Sequence, residues 1–139
     1  MKKDDCVFCK IGRKEIPANI VYEDIEVLAF LDVNPVTMGH TLIISKTHYV
    51  DVFDIPTELL CKIHSVGKEL AKKYKKVLNT DGVNLLNASG QAAQQSVFHY
   101  HLHLVPRYSS DKLDLWFHQE AQKPTAAELS KLKDTIINA

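Results

Sequence analysis

The chain has 139 residues, enough for one domain with a buried core and too few for two comfortable ones. Its 17 basic and 17 acidic side chains cancel, so no global field selects nucleic acid or an acidic membrane, although a compact phosphate ligand needs only local donors. No apolar run approaches the ~18 residues of a membrane span, and no signal-peptide core follows Met1–Asp5. Three cysteines are an odd and small number for a disulfide-stapled secreted fold, so the sequence reads as cytoplasmic.

Cys6-Val7-Phe8-Cys9-Lys10-Ile11 reads as a short helical turn ending near Gly12. Two residues between thiols let both sulfurs reach one ion, but the spacing alone fits a zinc half-site, a redox pair or two unrelated thiols. The redox pair needs a thioredoxin-like strand–helix context, which the sequence does not provide. Ile20-Val21-Tyr22 and Val27–Leu31 are strands around the turn Glu23-Asp24. Asp32-Val33-Asn34-Pro35 breaks the pattern, and after Gly39 an apolar run from His40 to Ile44 resumes it.

Thr57–Leu78 is the longest helical segment, with Leu60, Ile63, Leu70, Tyr74 and Val77 at helix spacing and lysines opposite. Asp54 or Thr57 is its expected cap, and Pro56 fits its first turn. Cys61 and His64 lie within it without an identifiable partner. Asp81-Gly82 turns into a strand over Val83–Asn87, and a small-residue loop, Ala88–Ala93, follows. Thr125-Ala126-Ala127-Glu128 has the form of a capping box, opening a last helix with Leu129, Leu132 and Ile136 on one face. Several strands with segregated helices imply an α+β fold with a largely antiparallel sheet.

The densest chemistry is in Phe98-His99-Tyr100-His101-Leu102-His103-Leu104-Val105-Pro106-Arg107. Strand alternation puts His99, His101 and His103 on one face at about 7 Å intervals, and sends Phe98, Tyr100, Leu102 and Leu104 to the other. A row of imidazoles suits proton transfer, nucleophilic attack or metal binding near neutral pH. A catalytic metal held by all three is the weaker reading. Alternate side chains on a straight strand reach one ion as a pair more readily than as a trio, and the first acidic residue after them is Asp111.

His-Tyr-His-Leu-His-Leu-Val, preceded by Gln95-Ser96-Val97, resembles the signature of the histidine triad (HIT) superfamily of nucleotide hydrolases and transferases. The resemblance covers nearly the whole chain. It includes Lys14-Glu15-Ile16-Pro17, Ala29-Phe30-Leu31-Asp32, Gly39-His40-Thr41-Leu42-Ile43-Ile44 and Asn87. It implies a single HIT domain over 1–139, with an antiparallel sheet of about five strands, one long helix and a C-terminal helix. The length matches the small bacterial and Hint-like branches.

The resemblance also assigns roles. His101 is the expected nucleophile, attacking the α-phosphorus of a purine nucleotide of the AMP type and forming a nucleotidyl-histidine. Ser96 and His103 are the expected phosphate donors and proton carriers, with Gln95 and its loop beside them and His99 completing the triad. Asp32 resembles the ribose-binding aspartate, and Phe30, Val33, Val7, Phe8, Ile11 and Leu42 match base-pocket positions. Asn87 matches a phosphate- or ribose-side asparagine, and His40 has a counterpart near the active-site network. Many bacterial relatives pair the dicysteine with two histidines, here giving a structural zinc set of Cys6, Cys9, His48 and His99. No organic cofactor is implied; a homodimer is.

Two branches compete for the substrate. Ser96 resembles the serine of Hint-type phosphoramidases, whereas Pro106-Arg107 is similar to the dinucleoside-polyphosphate-cleaving branch. A nucleotide-binding module with little turnover is the third reading. Relatives often carry glycine where this chain has Gln94. If that glycine uses a positive φ, Gln94 adopts it at a cost of ~1 kcal/mol or more, or the loop runs differently. Trp116 and Phe117 fall in a segment that in this family reaches the active-site surroundings, and His118 has no identified partner.

Overall fold

The structure is a computed structural model and describes residues 3–115 and 123–139. Its elements are α1 (Val7–Gly12), β1 (Ile20–Glu23), β2 (Val27–Leu31), β3 (Thr41–Ser45), α2 (Thr57–Val77), β4 (Gly82–Leu86), β5 (His101–Arg107) and α3 (Ala126–Ile137). The strands form one antiparallel sheet in the order β1-β2-β3-β5-β4. This is the expected α+β architecture, a five-stranded antiparallel sheet with one long helix and a C-terminal helix. Among the described residues, no helix is long and apolar enough to cross a membrane.

Register decides what each face of the sheet carries. Leu28 pairs with Ile44, which pairs with His101; Phe30 pairs with Leu42, which pairs with His103. These two rows share one face, and α1 covers it with Cys6, Phe8, Cys9 and Ile11. The alternate residues Val27, Ala29, Ile43, Leu102 and Leu104 face the other way and pack with Tyr100 against Ile63, Leu70 and Tyr74 of α2. Each fully buried Leu or Ile here contributes ~1.5–3 kcal/mol, so a one-residue slip of β5 would forfeit the core as well as the histidine row.

The structure adjusts several expected boundaries. β5 begins at His101, so His99 precedes the strand, yet it is completely buried. α2 starts at Thr57 behind Pro56 and has no side-chain cap; the Asp54 carboxylate instead accepts from the backbone N–H of Val50. Val77, expected on the buried side of α2, is largely exposed. Asn87 lies just beyond β4. The capping box of α3 forms as expected, between Thr125 and Glu128, although α3 buries none of its side chains.

Two backbone positions near the site are special. Gly39 has φ +87°, and a Cβ there would lie 2.8 Å from Leu78 Cδ1, so any other residue at this bend before β3 is strained. Gln94 is left-handed at φ 64°, ψ 31°, the conformation expected where relatives place glycine. Trp116, Phe117 and His118 lie outside the described residues.

Candidate active site

His101 is held by the chain just before its own strand. Its Nδ1–H donates to the backbone carbonyl of His99 at 2.7 Å, which leaves Nε2 as the nitrogen with the lone pair. The ring is buried, with the edge of Phe8 at 5.2 Å between centroids. Burial pushes its pKa down; the His99 carbonyl and the Asp32 charge oppose this without reversing it, so the imidazole is neutral at pH 7. A neutral imidazole with one fixed N–H and one lone pair is the form a histidine nucleophile needs.

A second chain of contacts sets the tautomer of His103. The Val36 backbone N–H donates to His40 Nδ1 at 3.3 Å, so the proton of neutral His40 sits on Nε2. That nitrogen lies 2.9 Å from His103 Nδ1 and donates to it, which leaves the His103 proton on Nε2. Burial pushes the His103 pKa down to about 4, and His101 and His40 add to the shift. His40 is lowered by burial as well, against the raising effect of Asp32. The 3.6 Å approach of His40 to Asp32 is therefore not an ion pair at neutral pH.

Both rings line a cavity of about 490 Å³. Val7, Phe8, Ile11, Ile16, Ala18, Phe30 and Leu42 give it apolar walls, and Ser96, His101, His103, Asp32 and Asn34 are its polar lining. Asp32 Oδ1 caps its own turn by accepting from the Asn34 N–H at 2.9 Å, which leaves Oδ2 to accept from a ligand hydroxyl. Apolar walls with one carboxylate acceptor, a hydroxyl and two imidazoles form a site of the kind that binds an amphipathic small molecule.

Most of the expected ligand residues therefore meet in one cavity. Asn87 and Gln95 do not line it. Asn87 Nδ2 donates to the His101 carbonyl at 2.9 Å, and its Oδ1 accepts from Ser89 Oγ at 2.7 Å. Gln95 is buried and bonded only to backbone atoms through its side chain. Ile16, Pro17, Ala18, Leu31, Asn34 and Val97 are lining residues that sequence reasoning misses as such. The signal is present in Lys14-Glu15-Ile16-Pro17, which belongs to the family resemblance without being tied there to the pocket. Arg107 is engaged by Asp111, Asn84 and the Leu113 carbonyl, and it does not line the cavity. Cys61 and His64 are exposed on α2.

On the same sheet face, Cys6, Cys9, His48 and His99 bring their ligand atoms within 4.8 Å of one another. His99 Nδ1 lies 3.4 Å from Cys6 Sγ and 3.5 Å from Cys9 Sγ, and His48 Nδ1 lies 3.3 Å from Cys9 Sγ. A tetrahedral zinc with ordinary Zn–S and Zn–N bonds separates its ligands by about 3.6 Å, so the set fits that ion closely. His99 Nε2–H donates to the Ser45 carbonyl at 2.8 Å, which turns the Nδ1 lone pair toward the sulfurs. Burial holds the His99 pKa near 4, so the ring is available as a neutral ligand.

A neutral histidine with one N–H fixed on a backbone carbonyl, in a cavity that also offers a hydroxyl and a carboxylate, is a site suited to nucleophilic attack. Comparison with known proteins gives the family. The HIT domain model matches residues 13–110, and the chain belongs to this family. It is 47% identical over 106 residues to an uncharacterized HIT-like protein of Methanocaldococcus jannaschii, covering 76% of this chain and 81% of that one. An adenylylsulfatase of Arabidopsis thaliana is 40% identical over 111 residues, 80% of this chain and 56% of that protein.

Among solved structures, a HIT family protein from Bacillus anthracis superposes with a TM-score of 0.88 at 43% identity, covering 97% and 96% of the two chains. A Zn-bound histidine triad family protein from Mycobacterium smegmatis does so at 0.78 and 39%, covering 96% and 99%. A hypothetical histidine triad nucleotide-binding protein from Sulfolobus tokodaii gives 0.73 at 33%, covering 95% and 89%.

Proposed function

We propose that this chain is a nucleotide hydrolase or transferase that cleaves a nucleoside phosphoramidate, or a related nucleotidyl bond, at the α-phosphorus. The observation that carries this reading is the His101 ring itself, neutral, with Nδ1–H fixed on the His99 carbonyl and Nε2 left with its lone pair at the cavity wall. The nucleoside lies with its base in the apolar slot and a ribose hydroxyl on Asp32. His101 Nε2 bonds to phosphorus as the bond to the leaving nitrogen or oxygen breaks. The leaving atom takes a proton from Ser96 Oγ or His103 Nε2. Water then attacks phosphorus and returns a proton to that group, the phosphorus–His101 bond breaks to restore the Nε2 lone pair, and the nucleoside monophosphate is released. Fixed donors at the phosphoryl oxygens supply the electrostatic part.

The Sulfolobus tokodaii neighbour, a nucleotide-binding protein by name, supports a nucleotide ligand, and the Arabidopsis thaliana adenylylsulfatase supports cleavage at an adenylyl group. Arg107, wholly used within the β5 end, offers no support for a polyphosphate substrate. Cys6, Cys9, His48 and His99 are the residues that would hold zinc, and the Zn-bound Mycobacterium smegmatis neighbour supports that ion. In a closed set of four protein ligands the ion supplies structure. A second copy of the chain is the expected partner, and Val83 and Leu85 of the edge strand β4, together with Val77 of α2, are exposed apolar residues available for it.

The test is turnover of adenosine 5′-phosphoramidate by the protein and by His101→Ala, each before and after zinc chelation. Activity lost in His101→Ala but kept after chelation supports covalent histidine catalysis. Activity lost on chelation while the fold persists supports a catalytic metal instead. Tight binding of adenosine monophosphate with negligible turnover supports a binding module.

A further inference from the structure

Gln95 does not line the cavity. Its side chain is buried, and only one orientation of the amide satisfies its surroundings. Oε1 accepts from the Gly90 N–H at 2.7 Å, while Nε2 donates to the Val50 carbonyl at 2.7 Å and the Val97 carbonyl at 3.1 Å. Both side-chain hydrogens and the oxygen are engaged with backbone, so none of its donors remains for a phosphate. These bonds join three segments: the start of the 90–95 loop, the residue after Ser96, and the segment that follows His48.

That loop needs holding. Gly90 has φ +89° and Gln94 φ 64°, and a non-glycine left-handed residue costs ~1–3 kcal/mol that surrounding contacts must offset. The 48–52 segment is tied to the site at further points: Tyr100 N–H donates to the Tyr49 carbonyl at 2.6 Å, and Val52 N–H to Ser89 Oγ at 3.0 Å. Ser96, by contrast, is exposed and has no hydrogen bond of its own among the described residues. It lines the cavity, so its place there depends on where the backbone holds it.

We propose that Gln95 is a positioning residue for Ser96, fixing the phosphate-side loop by clasping Gly90 and Val97 to the segment that begins at His48. The inference rests on the reading of Ser96 as a proton donor to the leaving group. Its consequence is selective. Loss of the clasp harms substrates whose leaving group needs a proton and spares those whose leaving group departs as a stable anion.

The experiment uses the full-length, zinc-loaded protein with Gln95→Met, Ser96→Ala and the double variant. It compares adenosine 5′-phosphoramidate with the p-nitrophenyl ester of adenosine monophosphate. Gln95→Met keeps the length of the side chain and removes its donors. It is expected to lower kcat on the phosphoramidate by about tenfold or more at little changed KM, and on the nitrophenyl ester by less than about threefold. The double variant is expected to be no slower than Ser96→Ala. Additive losses, equal losses on both substrates, or no loss overturn the proposal.

Gln95→Glu guards against misfolding, because it retains volume and the acceptor for Gly90 but cannot donate to the two carbonyls. It should show the same selective loss. If the unaltered protein turns over neither substrate, the functional reading fails by itself. Amide exchange then decides the clasp: faster exchange at Gly90 in Gln95→Met with Leu102 unchanged upholds it, and unchanged exchange at Gly90 overturns it.

Discussion

At the scale of the residue, the proposed catalysis turns on which nitrogen of each histidine carries a proton. His101 is set by a carbonyl two residues back in its own chain, and His103 by a relay that starts at the Val36 amide and passes through His40. Replacing His101 by alanine is expected to cut turnover of the phosphoramidate by at least ~10³-fold with nucleotide binding retained, measured by steady-state rates and calorimetry. The buried histidines also predict a pH dependence of stability. His103 titrates near 6.5 when unfolded and near 4 when folded. Between those values the unfolded chain binds a proton that the folded chain does not, so stability falls as pH falls through that window and is level above it. Thermal unfolding of the protein from about pH 8 to about pH 4 should show this decline, and His103→Asn should make it shallower. An unchanged slope in that variant contradicts the assigned environment.

At the scale of the element, β5 is the most legible part of the chain, and for a physical reason. A period of two is visible in sequence, and the apolar partners Leu102 and Leu104 enter the α2-side core as that period requires. The start of the strand is not legible. His99 continues the alternation in sequence, but its carbonyl is used by the His101 ring, so it lies in the approach to the strand. The cap of α2 misleads because Asp54 and Thr57 are both good capping types, and the competing Val50 amide is visible only in three dimensions. Gln94 is legible through a missing glycine, and its left-handed backbone predicts that Gln94→Gly raises stability by up to about 1 kcal/mol, read as an increase in Tm. Gly39→Ala should act in the opposite sense, since both the positive φ and the approach of Leu78 oppose a Cβ; a neutral effect on Tm contradicts that reading.

At the scale of the whole molecule, one sheet face carries two adjoining devices. The Cys6, Cys9, His48 and His99 set joins α1, the segment after β3 and the approach to β5, and His99 is at once a member of that set and the carbonyl partner of His101. Zinc chelation is therefore expected to lower Tm markedly while leaving residual catalysis in proportion to the folded fraction, followed by differential scanning calorimetry beside activity. The ligand set is readable as a whole from spacing and resemblance, because each member is a distinctive residue type. The backbone hydrogen bonds of Gln95 and Asn87 are not, because amide side chains bond ligands and backbone equally well and sequence does not name their partners.

The catalytic reading of the site depends on His101 forming a covalent bond to phosphorus. Intact-protein mass spectrometry addresses that bond directly, after rapid alkaline quench of a reaction with adenosine 5′-phosphoramidate, conditions in which a phosphorus–nitrogen bond survives. One added adenylyl group is expected, mapped to His101 and missing in His101→Ala. Turnover with no adduct in the unaltered protein, together with undiminished turnover in His101→Ala, would contradict it.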